Sequence, residues 1–540
     1  MYSAPGRIAD PVRTRVKTTK LIIIASVILV LCFNISFFSN VTSVYAATPG
    51  NIPFLVSIVI MLGSFIALLL SLVISRYTAK PILIAVFLLS SIAAYFMDSY
   101  NVIIDITMLQ NAMMTDTAEF MDLVNIKLIL YFLVLGILPA IVIYKVRIND
   151  VSLKTALFSR LKLILVLLFL IASQLLLFNK TYASFFREHK ELRYYTNPVT
   201  YIYSAGKYVS SMRATSNIEV EPVGLDARVP HADPHRELTI LVIGETARAD
   251  RLSLNGYARE TNPLLANEDV ISFTNMHSCG TSTAVSVPCM FSMYSKDEYD
   301  DEKGKSSENL LDILSHAGIH VLWRDNNSDS KGVALRVQYE DYKSSEINPV
   351  CDVECRDDGM LEGLQDYIDT QREGDILIVL HQMGNHGPAY YKRYPESFEK
   401  FTPACKTNHL DQCSETEINN AYDNAILYTD FFLSKVIALL KQNMERFETA
   451  MIYMSDHGES LGEGGVYLHG LPYFMAPDSQ THVASIFWFG DNYDEINIDA
   501  IRQKADMDFS HDNLFHTVLG LMEVETSAYN RELDIIYFDR

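Results

Sequence analysis

Residues 238–245 read LTILVIGE: an apolar run interrupted only by Thr239, then a glycine, then a carboxylate. A run this short and this rich in branched residues suits a strand buried on both faces. Four more such runs follow: IHVLW (319–323), DILIVL (375–380), TAMIYM (449–454) and ASIFWF (484–489). Between them, 308–317 and 419–441 carry Leu, Ile, Val and Phe at helical spacing. Strands alternating with helices predict an α/β domain with a mainly parallel central sheet, and such sheets place their sites beyond the strands' carboxyl ends.

The residues just past those strands are therefore informative. Glu245 ends the first, and Asp456 and His457 follow 449–454. HQMGNHGP, with His381 and His386, follows 375–380, and RDNNSDSK, with Asn327 and Lys331, follows 319–323. One such residue is usually a structural hydrogen-bonder; several at strand ends of one domain point to a site. Glu245, Asp456 and His457 supply two oxygens and a nitrogen and leave a fourth position open, as a catalytic zinc requires.

Upstream of the second helical stretch, SCGTSTAVSVPC (278–289) sets Thr281, Ser282, Thr283 and Ser286 between Cys279 and Cys289. A hydroxyl is a poor nucleophile until a base or a metal activates it. A disulfide closing this loop would hold one hydroxyl still, but spacing does not choose among the four. The chain has seven cysteines; Cys32 lies in an apolar run and the other six are close neighbours beyond residue 179. Six allow fifteen pairings, of which Cys279–Cys289, Cys351–Cys355 and Cys405–Cys413 are the most local. A zinc knuckle built on CDVEC would lack the C-x2-C spacing. Disulfides imply an oxidising compartment. His277, His409, His482, His511 and His516 read as structural or exposed, and Trp323 as packing.

The amino-terminal third is different. Hydrophobic residues make up 49% of the chain and charged ones 20%. Five stretches are apolar enough to cross a bilayer, near 21–39, 53–75, 81–97, 128–144 and 161–178. Arg7, Arg13, Arg15, Lys17 and Lys20 precede the first, and Arg76, Lys80, Lys145, Arg147, Lys154, Arg160 and Lys162 mark alternate loops, whereas 40–52 and 98–126 have no Lys or Arg before Lys127. The positive-inside rule puts the amino terminus in the cytoplasm, and an odd number of spans puts everything after 179 across the membrane. A signal peptide cut near Ala46 fits less well, since four more spans follow. The tyrosine-rich stretch after 179 reads as an interfacial segment, and 213–236 as a linker. Three parts result: a five-helix transmembrane domain (1–178), an interfacial segment and linker (179–235) and an extracytoplasmic domain (236–540). A net charge of −21 argues against nucleic acid as a partner.

Five blocks carry a resemblance: VIGETARADRLSLNGYARETNP (242–263), SCGTSTAVSVPCMFS (278–292), WRDNNSDSKG (323–332), HQMGNHGPAYYKRYP (381–395) and MSDHGESLGEGGVYLHG (454–470). With the five-span anchor and three staples, the chain resembles the phosphoethanolamine transferases that modify lipid A. These belong to the alkaline-phosphatase superfamily and include the mobile colistin-resistance enzymes. The resemblance implies an alkaline-phosphatase/sulfatase-like fold, zinc, a bacterial inner-membrane location with a periplasmic catalytic domain, and a monomer. It makes Thr283 the nucleophile, with Glu245, Thr283, Asp456 and His457 around a first zinc. Asn327, Lys331, His386, Glu459 and His469 would surround the phosphoethanolamine head, with His386 and His469 also able to bind a second zinc. It implies that Thr283 takes phosphoethanolamine from phosphatidylethanolamine, releasing diacylglycerol, and yields it to a lipid A phosphate, so that polymyxin and colistin bind less well. Rival readings are a same-fold transferase acting on core sugars or glucans, a phosphoglycerol transferase, and a membrane-anchored phosphodiesterase or sulfatase-like hydrolase. A non-catalytic lipid binder would have no reason to keep Glu245, Thr283, Asp456 and His457 together. A transporter would need intramembrane charges that these spans lack.

Overall fold

A computed structural model describes residues 15–115, 117–215, 219–230, 235–493 and 496–537. Arg7 and Arg13 of the charge pattern lie outside them. The chain divides into two compact units, one of residues up to 105 together with 124–205, the other of 106–123 together with residues from 206 onward.

The first unit is helical. Its long apolar helices are α3 (Ile52–Val73), α4 (Ala79–Tyr100), α5 (Ile126–Lys145) and α6 (Leu153–Leu177), each long and apolar enough to span a bilayer. The expected first span is instead a broken pair, α1 (Thr18–Phe33) and α2 (Ile35–Val44), bent by 62°. The cause is Asn34, buried at the break: its amide donates to Leu29 O (2.9 Å) and Asn197 O (2.7 Å) and its Oδ1 accepts from Asn197 N–H (2.9 Å). A side chain that bonds the backbone locally competes with the helix ladder. The third span is longer than its apolar core suggested and ends at Tyr100, where Asn101 adopts a left-handed φ of 55°. The stretch expected at the interface packs partly inward: Tyr182 and Phe185 are buried, Tyr182 lies edge-on to Phe54, and its hydroxyl meets Ser57 Oγ at 2.8 Å.

The second unit is built on an eight-stranded sheet. Its strands are β1 (Glu237–Gly244), β2 (Ile271–His277), β3 (His320–Asp325), β4 (Gln338–Asp341), β5 (Ile376–His381), β6 (Glu448–Ser455), β7 (His482–Phe489) and β8 (Phe509–Ser510), in the order β8-β2-β7-β6-β1-β5-β3-β4. The five neighbouring pairs that do not involve β7 are parallel; only β7 is reversed, antiparallel to both β6 and β2. All eight residues of β1 are buried, with Leu241 and Ile243 packing into the core on one face and Leu238, Ile240 and Val242 into the core on the other. A strand covered on both faces needs no polar alternation, which is why LTILVI reads as an unbroken run. Helix α7 (Thr283–Met290) carries Thr283 and Ser286 of the stapled loop, α8 (Leu310–His316) precedes β3, α9 (Glu415–Lys441) opens with a capping box between Ser414 and Glu417, and α10 (Asp512–Leu521) follows β8. Bonds join Cys279–Cys289, Cys351–Cys355 and Cys405–Cys413.

Candidate active site

Parallel pairing brings the strand ends into one line. Gly244 of β1 is in register with Ser455 of β6, and Ile243 with His381 of β5. Glu245, one residue past β1, therefore lies beside Asp456 and His457, which follow β6. Their ligand atoms fall within 4.8 Å of one another, and all three side chains are fully buried.

The electrostatics of this trio are unusual. His457 Nδ1 donates to the carbonyl of Gly458 at 2.9 Å, so Nε2 keeps its lone pair. That nitrogen lies 3.4 Å from both Glu245 Oε1 and Asp456 Oδ2, and neither oxygen has a hydrogen-bond donor among the described residues. Burial, with the Glu245 charge adding to it, pushes the Asp456 carboxyl well above its usual range. Burial, with His469 and His386 nearby, pushes the His457 imidazole well below its own. Three electron-rich atoms facing one another out of water are costly unless a cation joins them. The donor set, two carboxylates and one neutral imidazole, fits a divalent metal of the zinc type.

Thr283 opens α7 and reaches the trio from the other side. Its Oγ1 donates to Glu245 Oε2 at 3.0 Å and lies 3.3 Å from His457 Nε2. The other hydroxyls are directed elsewhere: Thr281 donates to Leu471 O (2.7 Å), Ser286 accepts from Gly280 N–H (3.0 Å), and Ser282 is buried away from any partner among the described residues. Geometry thus selects one of the four hydroxyls that spacing leaves equal. The loop is fixed further by His511, whose Nδ1 accepts from Cys279 N–H (3.1 Å) and whose Nε2 donates to Ser455 O (2.9 Å). One neutral imidazole ties the staple to the strand that delivers Asp456.

The remaining predicted residues surround this core. Asn327 Nδ2 donates to Glu245 Oε2 (2.8 Å) and Gln382 O (2.7 Å). Lys331, at a left-handed φ of 52°, donates to Ser328 O (3.0 Å) and Met114 O (3.2 Å). The His469 ring centre is 4.3 Å from that of His457 and 5.6 Å from that of His386. Glu459 is fully buried; its Oε2 accepts from His469 Nδ1 (2.8 Å) and its Oε1 from the Tyr390 hydroxyl (2.6 Å). It therefore orients His469. Gly387 allows this approach, since a Cβ there would fall 2.4 Å from Glu459 Oε1.

His381 does not join the site. Its Nδ1 meets Asp325 Oδ2 at 2.9 Å, an oxygen that also accepts from Trp323 Nε1 at 2.8 Å. Tyr390 and Asp325 were not anticipated. Asp325 had a signal, standing at the end of a buried strand; Tyr390, one of thirty tyrosines, had none beyond its place in the block 381–395.

With this geometry in hand, the relatives can be weighed. Residues 237–524 match the family model "Sulfatase", and residues 62–212 match "Phosphoethanolamine transferase EptA/EptB". The chain is 44% identical to the phosphatidylethanolamine transferase Mcr-2 of Escherichia coli, over 91% of its own length and 92% of the relative's. It is 40% identical to the phosphoethanolamine transferase EptA of Salmonella typhimurium, over 95% and 96%. The structure superposes on the integral membrane lipooligosaccharide phosphoethanolamine transferase A of Neisseria meningitidis with a TM-score of 0.93, at 33% identity, covering 97% of this chain and 99% of that one.

Proposed function

The chain belongs to the phosphoethanolamine transferase family, and from that premise we propose that it moves phosphoethanolamine from phosphatidylethanolamine to a lipid A phosphate through a phospho-threonine at Thr283. The observation that carries the reading is the Thr283 Oγ1–Glu245 Oε2 contact of 3.0 Å beside two buried carboxylate oxygens that lack donors.

Glu245, Asp456, His457 and Thr283 would hold a zinc ion, with His386 and His469 available to a second. A bound zinc would lower the pKa of the threonine hydroxyl and offset charge on phosphoryl oxygens. The chain's own groups do the rest. Thr283 Oγ forms a bond to phosphorus as the phosphorus–oxygen bond to diacylglycerol breaks. The hydroxyl proton passes by way of Glu245 or a site histidine to the departing glycerol oxygen. In the second half an acceptor phosphate oxygen attacks the same phosphorus as its bond to Thr283 Oγ breaks, and the proton given up by the acceptor phosphate returns to Thr283 by the same route. Glu459 keeps the His469 proton on Nδ1, leaving Nε2 able to take or return one. Lys331 supplies positive charge near the phosphoryl group, where electrostatic positioning dominates such transfers.

Incubating the full chain with phosphatidylethanolamine and no acceptor, then mapping peptides by mass spectrometry, tests the first half. Phosphoethanolamine on Thr283, absent from Thr283→Ala, is the expected result. Release of free phosphoethanolamine with no adduct and no transfer to added lipid A would instead assign a hydrolase. In a polymyxin-susceptible host, expression should modify lipid A and lower susceptibility together.

A further inference from the structure

The helical unit contains a cleft of about 750 Å³ that takes no part in this chemistry. It lies between the start of α1, the turn after α3 and the start of α6. Its charged lining is mainly cationic: Lys17, Arg76 and Arg160 line it, against one acid, Asp150. Arg76 is already engaged, ion-paired to Asp150 and placed over the Tyr77 ring at 4.4 Å. Lys17 and Arg160 have no ion-pair partner among the described residues. The cleft thus holds two uncompensated positive charges within a chain whose net charge is −21.

Apolar side chains line the cleft too: Ile22, Leu157 and Leu163, the two leucines flanking Arg160 along α6. Its wall is α6, in which only Leu167 and Gln174 are buried. A membrane-spanning helix with so little protein contact faces lipid along most of its length. Backbone pairing ties together two segments at the cleft's rim: Arg15–Val16 pairs with Arg147–Ile148, and Asn149 N–H donates to Val16 O at 2.9 Å. Cations set among apolar side chains on a wall open to lipid match the mixed chemistry of a phospholipid.

We propose that this cleft binds one anionic phospholipid, its phosphodiester between Lys17 and Arg160 and an acyl chain along Leu157 and Leu163. Basic pockets between membrane helices hold anionic head groups in this way, and each Lys or Arg near a lipid phosphate contributes measurably. A small soluble anion would use the two cations but leave the apolar wall bare, so the cleft is assigned to a lipid.

The test uses the full chain, delipidated in detergent and mixed with dioleoylphosphatidylglycerol or dioleoylphosphatidylcholine. Native mass spectrometry counts the lipid retained. One phosphatidylglycerol should be kept about tenfold more readily than phosphatidylcholine. The Lys17→Gln/Arg160→Gln double variant should lose that preference, and Ala156→Trp, which fills the cleft and leaves its charge alone, should lose it as well. The second variant decides the matter if the first does not fold. Thr283 labelling by phosphatidylethanolamine should persist in both. Equal retention of the two lipids, or an unchanged preference in Ala156→Trp, would overturn the proposal. Displacement of the retained lipid by millimolar-range sn-glycerol 1-phosphate would show a small-anion site and overturn it equally.

Discussion

Asp325 touches neither Thr283 nor the buried trio, yet it shapes both. Its Oδ1 accepts from Asn327 N–H (3.0 Å) and Asp329 N–H (3.2 Å), and its Oδ2 from His381 and Trp323. Burial pushes this carboxyl up, but His381 and Trp323 outweigh it and hold the group below its usual range. Four donors converge on one anion, and the turn they form aims the Asn327 amide at Glu245. Asp325→Asn should slow adduct formation on Thr283 by roughly 10- to 100-fold, as loss of such a supporting bond does. A time course with saturating donor reads this; an unchanged rate would reduce the network to packing. At the trio itself, zinc must displace the proton that burial favours on Asp456. The rise in melting temperature on adding zinc should therefore grow as the pH is raised. A zinc effect independent of pH would mean that Asp456 is not a ligand.

At the scale of elements, the position of Thr283 depends on how α7 is moored. Cys279–Cys289 closes a loop with a separation of ten residues, and removing such a closure costs on the order of 2–3 kcal/mol in the unfolded-chain entropy account. Cys279→Ser/Cys289→Ser should lower the melting temperature and slow Thr283 labelling together; lower stability with full labelling would show that His511 moors the loop alone. Burial lowers the His511 pKa from 6.5 to about 4. The unfolded chain thus takes up a proton near pH 6.5 while the fold refuses it until about pH 4, so acid favours unfolding across that window. At about 1.4 kcal/mol per pH unit, ~3 kcal/mol present above the window is gone below it. Asp430 and Asp534, each raised by burial to about 6, act in the opposite sense. The comparison is accordingly with His511→Asn, whose melting temperature should fall less than wild type's between those pH values; parallel curves would refute the clamp.

At the scale of the whole molecule, residues 106–123 are an excursion from the membrane-spanning sequence that belongs with the second unit. Asp122 pairs there with both Lys392 and Arg393, and Met114 O accepts from Lys331. A piece beginning after residue 205 lacks these partners. It should label Thr283 more slowly than the full chain even with a short-chain donor dissolved in detergent, and Asp122→Ala in the full chain should share part of the defect. Equal rates would make the excursion a passive loop. This membership was not legible in a sequence read as a cut near residue 178, because 106–123 lies between two spans and nothing local distinguishes it from an interfacial loop. The broken first span escaped for a similar reason: Asn34 looks like one tolerated polar residue until Asn197, far along the chain, supplies its partner. Composition and periodicity determined the class of each part, since burial on two faces, burial on one face and lipid exposure each impose their own spacing of apolar residues. They also determined that Glu245, Asp456 and His457 would gather, because parallel strands align their carboxyl ends. Only the tertiary structure decided that Thr283 meets Glu245 while Thr281 and Ser286 turn away, that Glu459 serves His469, and that His381 belongs to Asp325. Those choices rest on strand register and on contacts between residues distant in sequence, and local spacing carries no record of either.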